Sequence, residues 1–298
     1  KIPSFYVDIT KQGFDQGRSS TADTIMQINN LMKKNVACIV IDLRGNPGGA
    51  LSEALKLAGL FVDAGPIMQV YDSSDTIQSL DDPIPGVYYS GPLVVLIDKF
   101  SASASEIFAG AIRDYRRGII IGTDATFGKG TVQSYKELYQ KKGAIKITNA
   151  IFYQPSGTSN QLNGIKPDIT VPDITTIWDI GENKLKYALQ WKPIPPAAYT
   201  PYRNYIPGEV VALLRNKSDS RLQNDAHYVK LLKEIQELKQ KLQSKEISLK
   251  DESTIEQRKK DLEGTIRKNK TENLIDLEND TFLKEALNIV VDYIKVLQ

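Results

Sequence analysis

The chain has 298 residues, 41% of them hydrophobic and 25% charged, an ordinary balance for a folded protein with one large or two smaller domains. Lys+Arg 38 against Asp+Glu 36 leaves a net charge of +2, so no global field draws the chain to nucleic acid or to an acidic membrane. One cysteine excludes an internal disulfide, and no apolar run approaches the ~18 residues of a membrane span.

The chain opens at Lys1, without methionine, on the strand-like Phe5-Tyr6-Val7-Asp8-Ile9, and reads as an excised or processed piece, from which any targeting segment would already be gone. Residues 10–35 hold a short loop and a helix. Short apolar runs at 36–43, 93–97 and 119–121 predict buried strands, with Cys38 as a core residue of the first. Between them, Leu51, Leu55, Ala58 and Phe61-Val62, then Ile107-Phe108, Ala111-Ile112 and Tyr115, follow helical spacing. Strand, helix, strand, helix, strand is the pattern of parallel crossovers. Residues 131–139 and 144–153 read as further strands, and Gly164-Ile165-Lys166-Pro167-Asp168-Ile169 closes an α/β domain. Beyond Pro172 the strands stop. A proline-rich connection leads to a charged helical region with an apolar stripe from Tyr228 through Leu242. Ser253 with Glu256 offers a capping box, and Phe282, Ala286, Ile289-Val290 and Tyr293 mark a terminal helix. These patterns divide the chain into an α/β domain at 1–174 and a helical domain at 175–298, the helical stripes burying against the first domain or one another.

Two loops follow strand C-termini, where open α/β sheets place their sites. In Arg44-Gly45-Asn46-Pro47-Gly48-Gly49 the paired glycines allow backbone N–H groups to face developing negative charge; a tight turn that merely needs glycine is the plainer reading. In Ser101-Ala102-Ser103-Ala104-Ser105-Glu106 a serine stands at a strand-to-helix junction, either as an exposed nucleophile beside helix-terminal N–H groups or as a simple helix cap at Ser103 or Ser105. A serine hydroxyl needs a base. The only histidine, His227, lies far along the chain in a charged helical stretch. Lys129, between Gly128 and Gly130, is the better candidate, and Ser-Lys pairing is a known variant of serine chemistry. The amine must be neutral to act, against an ordinary lysine pKa of about 10.4, and burial against backbone and apolar surface favours the neutral form. An exposed turn lysine is the alternative. No cluster of metal ligands is evident, and neither metal nor cofactor is expected.

Taken together, Ile41-Asp42-Leu43-Arg44-Gly45-Asn46-Pro47-Gly48-Gly49, Phe100 to Glu106, Thr126-Phe127-Gly128-Lys129-Gly130-Thr131-Val132-Gln133 and Gly164 to Asp168 resemble the tail-specific, or C-terminal processing, proteases. The resemblance covers roughly residues 1–172, and the helical remainder is similar to the extra C-terminal region of the longer members. It implies a crotonase/Clp-protease-like core with a mostly parallel sheet, followed by an all-helical domain. It assigns Ser103 as nucleophile, Lys129 as general base, and the N–H groups of Ala104 and of Gly49 or Gly48 as oxyanion hole. For the third member it offers Gln133 or Asp114. Asp114 lies eleven residues past Ser103, about 16 Å along a continuous helix, which favours Gln133 as the group that orients the lysine.

The implied activity is serine endoproteolysis of unfolded or tail-exposed proteins in a bacterial periplasm or cell envelope. Polypeptides met through their C-terminal tails are the expected partners, with an adaptor protein as a further candidate and no nucleic acid. The family's PDZ module, which gathers substrate tails, is not found within this chain. A crotonase-like acyl-thioester enzyme and a catalytically silent peptide-binding scaffold are the rival readings.

Overall fold

The computed structural model describes residues 1–8, 18–84, 86–139, 142–202, 206–243 and 280–298, without the side chains of 241–243. Four parallel strands form the central sheet: β1 (Ile39–Asp42), β4 (Leu93–Ile97), β5 (Ile119–Gly122) and β8 (Ile169–Thr170), in the order β1-β4-β5-β8. Their apolar runs are nearly continuous because both faces are covered. Leu93, Val95 and Ile97 point to one face, with Ile28 of α1 (Ser20–Met32), Leu57 of α2 (Leu51–Gly59) and Phe108 of α3 (Ala104–Asp114). Val94 and Leu96 point to the other, where α4 (Gly208–Asn224), α5 (Ala226–Gln243) and α6 (Thr281–Leu297) bring Leu214, Tyr228, Phe282 and Ile289. The helical stripes therefore bury against the sheet itself, and the C-terminal helices share a core with the α/β layer.

The remaining strands, β2 (Pro66–Asp72), β3 (Ile77–Asp81), β6 (Thr131–Glu137) and β7 (Ala144–Tyr153), form a second, antiparallel sheet in the order β3-β2-β7-β6. The pairing of β6 with β7 slips between Val132 and Gln133, a local bulge.

Several boundaries differ from the sequence reading. The opening segment makes two isolated bridges, Phe5 with Gly49 and Val7 with Ser19, in place of a strand, and Ile9 lies outside the described residues. Helix α2 stops at Gly59, short of Phe61 and Val62, which are buried beyond its end. Strand β1 is confined to 39–42. Cys38 is half-buried beside it, and burial pushes its thiol up to about 12, so it stays an unreactive packing group. The capping box at Ser253 and Glu256 falls outside the described residues.

Candidate active site

Three loops leave the C-terminal ends of the adjacent strands β1, β4 and β5 and meet above the sheet. The first runs from Leu43 to Ala50. Asp98, at the end of β4, holds it by accepting the Gly45 N–H on both carboxylate oxygens at 3.0 Å. Asn46 turns the chain back: its Oδ1 accepts the Gly48 N–H at 2.8 Å, and its carbonyl accepts the Ala102 N–H and the Ser105 hydroxyl, each at 3.0 Å. Gly48 has φ +99°, and a Cβ there would stand 2.7 Å from the Ala102 carbonyl oxygen and 2.9 Å from the Ser103 Cβ. Only glycine lets the two loops approach this closely. At Gly49, φ +148°, a Cβ would meet the Phe5 carbonyl oxygen at 2.2 Å.

The second loop carries the three serines, and they divide by role. Ser101 donates its hydroxyl to Leu43 O at 2.9 Å, and Ser105 is bound to Asn46; both are fully buried ties between loops. Ser103 is half-buried and starts α3 with φ +57°, ψ −112°, a backbone conformation that non-glycine residues rarely adopt. Strain of this kind, of order 1–3 kcal/mol, persists where surrounding bonds enforce it. Here Glu106 enforces it, accepting the Ser103 N–H at 2.8 Å.

The third loop, 123–130, brings Lys129. Its backbone N–H also donates to Glu106, on the same Oε2, at 3.0 Å. The other oxygen, Oε1, accepts the Thr126 hydroxyl at 2.6 Å and the Gly128 N–H at 2.7 Å. A single fully buried carboxylate thus gathers the serine junction and the lysine turn into one unit. Burial pushes its pKa up to about 7, against hydrogen bonds from Thr126, Ser103 and Gly128, which favour the charged form. The closing motif supports the same turn: Ile165 donates its N–H to Thr126 Oγ1 at 2.7 Å, and Thr126 donates its N–H back to Ile165 O at 3.1 Å.

The Lys129 side chain is half-buried, with Nζ 3.4 Å from the carbonyl oxygen of Thr131. Gln133 lies exposed on β6, and its side chain has no hydrogen bond to any described residue; with Thr131, Thr148, Leu185 and Leu189 it lines an open cleft beside the lysine. Asp114 closes α3, accepting the Ser156 N–H at 2.8 Å, and ties that helix to the turn after β7. Among the described residues, the N–H groups of Gly49 and Ala104 have no acceptor, whereas that of Gly48 is occupied by Asn46. His227 is exposed at the start of α5. Among the described residues no three His, Cys, Asp or Glu side chains group as metal ligands, and no helix is long and apolar enough to cross a membrane.

The sequence reading missed Glu106, Asn46 and Asp98. The spacing Ser103-x-x-Glu106 is that of a capping box and signals the bond from Glu106 back to Ser103. Nothing local signals that the same carboxylate reaches residues 126–129.

Residues 1–171 match the family model described as Peptidase family S41. The chain belongs to this family. Residues 176–295 match a second model, described as the C-terminal domain of tail specific protease. A curated family relative, the "Tail-specific protease" of Haemophilus influenzae, is 36% identical over 318 residues, covering 99% of this chain and 44% of its own length. The "Carboxy-terminal-processing protease" of Bartonella bacilliformis is 41% identical over 160 residues, covering 51% of this chain and 36% of its own. Among solved structures, a photosystem II D1 C-terminal processing protease superposes with TM-score 0.50 at 30% identity, over 57% of this chain and 41% of that one. The chain spans less than half the length of these S41 relatives.

Proposed function

We propose that this chain forms the proteolytic part of a tail-specific serine endopeptidase, with Ser103 as nucleophile and Lys129 as general base. The observation that carries the reading is the Glu106 bracket. One carboxylate oxygen holds the backbone N–H of both residues, on two loops that are also tied by the Phe127 N–H on Ser101 O. Neutral Lys129 takes the Ser103 hydroxyl proton as Oγ bonds to the peptide carbonyl carbon, and the carbonyl electron pair moves to oxygen. The unpaired N–H groups of Gly49 and Ala104 receive that oxyanion. Gly48 serves by shape, keeping the two donors adjacent. Lys129 then returns the proton to the departing amine, and water repeats the sequence to release the acyl-enzyme. In the resting state the Thr131 carbonyl holds the amine. Gln133, on the wall of the cleft that starts at Thr131, orients it once a substrate enters.

Residues 1–174 carry this chemistry, and the helices within 175–298 form the accessory part. The relatives' names, tail-specific and carboxy-terminal-processing, support substrates met through their C-terminal tails; unfolded polypeptides as substrates and a bacterial periplasm or cell envelope as the site of action complete the proposal. An adaptor protein and a PDZ module acting with this chain belong to the same proposal. Incubating a chemically unfolded protein with the chain and with its Ser103→Ala form tests it: cleavage by the first alone supports the reading, and equal cleavage by both defeats it.

A further inference from the structure

The first loop is anchored at both ends. Asn46 and Gly48 fasten its far end to the serine loop, while its near end carries a contact that the proposed reaction does not use. Arg44 leaves β1 with Nε and Nη2 on the Asp42 carboxylate, at 3.0 and 2.8 Å. Its Nη1 and Nη2 also reach Asp280, at 3.1 and 2.8 Å. The guanidinium lies 4.8 Å from the ring centroid of Phe282, which is fully buried against the sheet. Asp280 is the N-cap of α6, accepting the Leu283 N–H at 2.8 Å. One carboxylate therefore caps a C-terminal helix and grips the residue next to Gly45.

The position of this pair gives it leverage. A planar guanidinium held by two carboxylates has a fixed direction as well as a fixed place. The two side chains are only 16% and 25% exposed, so their attraction is screened less than that of a surface pair. Gly45, the next residue, is clamped by Asp98, which also accepts the Ser101 N–H at 3.0 Å and so holds the serine loop as well. Arg215 on Asp168 O and Tyr228 on Pro172 O, from α4 and α5, flank β8, and ahead of these helices the Glu182 N–H donates to Phe127 O in the lysine loop.

We propose that Asp280 is a positioning residue for the oxyanion loop: through Arg44, the capped start of α6 sets the orientation in which the Gly49 N–H meets the substrate carbonyl. The C-terminal helix is then a working part of the peptidase centre. The inference rests on the Ser103–Lys129 reading given above.

Two variants separate positioning from capping. Asp280→Ser retains a capping oxygen but is too short to reach Arg44. Asp280→Asn retains the cap and a hydrogen bond to the guanidinium without the charge. The measurements, on the whole chain, are steady-state cleavage of an unstructured fluorogenic peptide, affinity for a peptide aldehyde that forms a tetrahedral adduct on Ser103, and the thermal midpoint. In Asp280→Ser, kcat and aldehyde affinity should fall together by about tenfold, less than the ~10²–10³ that follows loss of an oxyanion donor itself. Asp280→Asn should fall between Asp280→Ser and wild type. KM should hold within about twofold and the midpoint within about 2 °C.

Unchanged kcat and aldehyde affinity in both variants, with Ser103→Ala inactive, would overturn the proposal and leave the Ser-Lys reading standing. Activity that falls only in step with the midpoint, with Asn no better than Ser, would reduce Asp280 to a helix cap and overturn it as well. If Ser103→Ala still cleaves the peptide and binds the aldehyde, the reading of the site has failed and the positioning role falls with it.

Discussion

Ser103 and Lys129 donate their backbone N–H groups to the same oxygen of Glu106, at 2.8 and 3.0 Å. The nucleophile and base proposed here are thus registered through the main chain.

Ser103→Ala and Lys129→Ala should each abolish peptide cleavage, and the double variant should lose little more, because residues that act as a unit are not additive. Lys129→Arg should be inactive at every pH, since a guanidinium does not deprotonate. His227→Ala, altering an exposed side chain on α5, should keep wild-type kcat/KM. Turnover numbers for the five variants beside wild type check the assignment.

Glu106 gives stability and activity opposite pH dependences. Burial raises its folded pKa from 4.5 to about 7, so between these values the folded chain keeps a proton that the unfolded chain has released. Stability from this group is greatest below about pH 4.5 and falls as pH rises to about 7, by on the order of 3 kcal/mol. Burial raises Asp98, Asp114 and Asp168 in the same direction, so the comparison that isolates Glu106 is with Glu106→Gln. Activity needs the charged form, whose two oxygens accept from four donors, so kcat/KM should climb through about pH 7. In Glu106→Gln this part of the stability slope should vanish. Cleavage should fail at all pH, because the amide turns its own N–H groups toward donors. Urea unfolding and kcat/KM, each measured from pH 5 to 8, test both halves.

Gly48→Ala introduces a methyl 2.7 Å from the Ala102 carbonyl oxygen and 2.9 Å from the Ser103 Cβ, at a φ of +99°. The serine loop must shift, and a misplacement near 1 Å can lower turnover by about 10². We expect kcat to fall by about that factor while the folded chain persists, read from initial rates beside a thermal midpoint.

Gln133→Ala should lower kcat by roughly tenfold with little change in stability, because the side chain is exposed and its proposed task is to steer an amine already placed by Thr131. Gln133→Glu should be no better, since a carboxylate beside the lysine favours its charged form. Steady-state kinetics beside urea unfolding would show whether the loss is confined to turnover.

The strands at 93–97 and 119–122 were legible because a five-residue apolar run and a triple isoleucine suit a layer covered on both faces. Strands β2 and β3 were not: Ile77, Gln78 and Ser79 are exposed and carry no buried alternation, so pairing with β2 decides their state. Helix α4 was only coarsely visible, since Leu214, Ser218 and Leu222 are its buried positions and one of them is polar. Within the site, Ser103, Lys129 and the glycine loop announced themselves through local composition. Glu106 and Asn46 did not. Their importance lies in bonds to residues 20 or more positions away, and a linear pattern shows only the near end of such a bond.

The positive φ of Ser103 limits which atoms could serve as the proposed nucleophile at this position. Threonine offers the same hydroxyl, but a β-branched side chain at φ +57° is a steric outlier, so the exchange that preserves the chemistry on paper is closed by the main chain. Cysteine, unbranched and nearly the same shape, is the exchange the backbone tolerates. Any route by which a descendant of this centre changed its nucleophile would therefore run through sulfur before it reached a secondary alcohol.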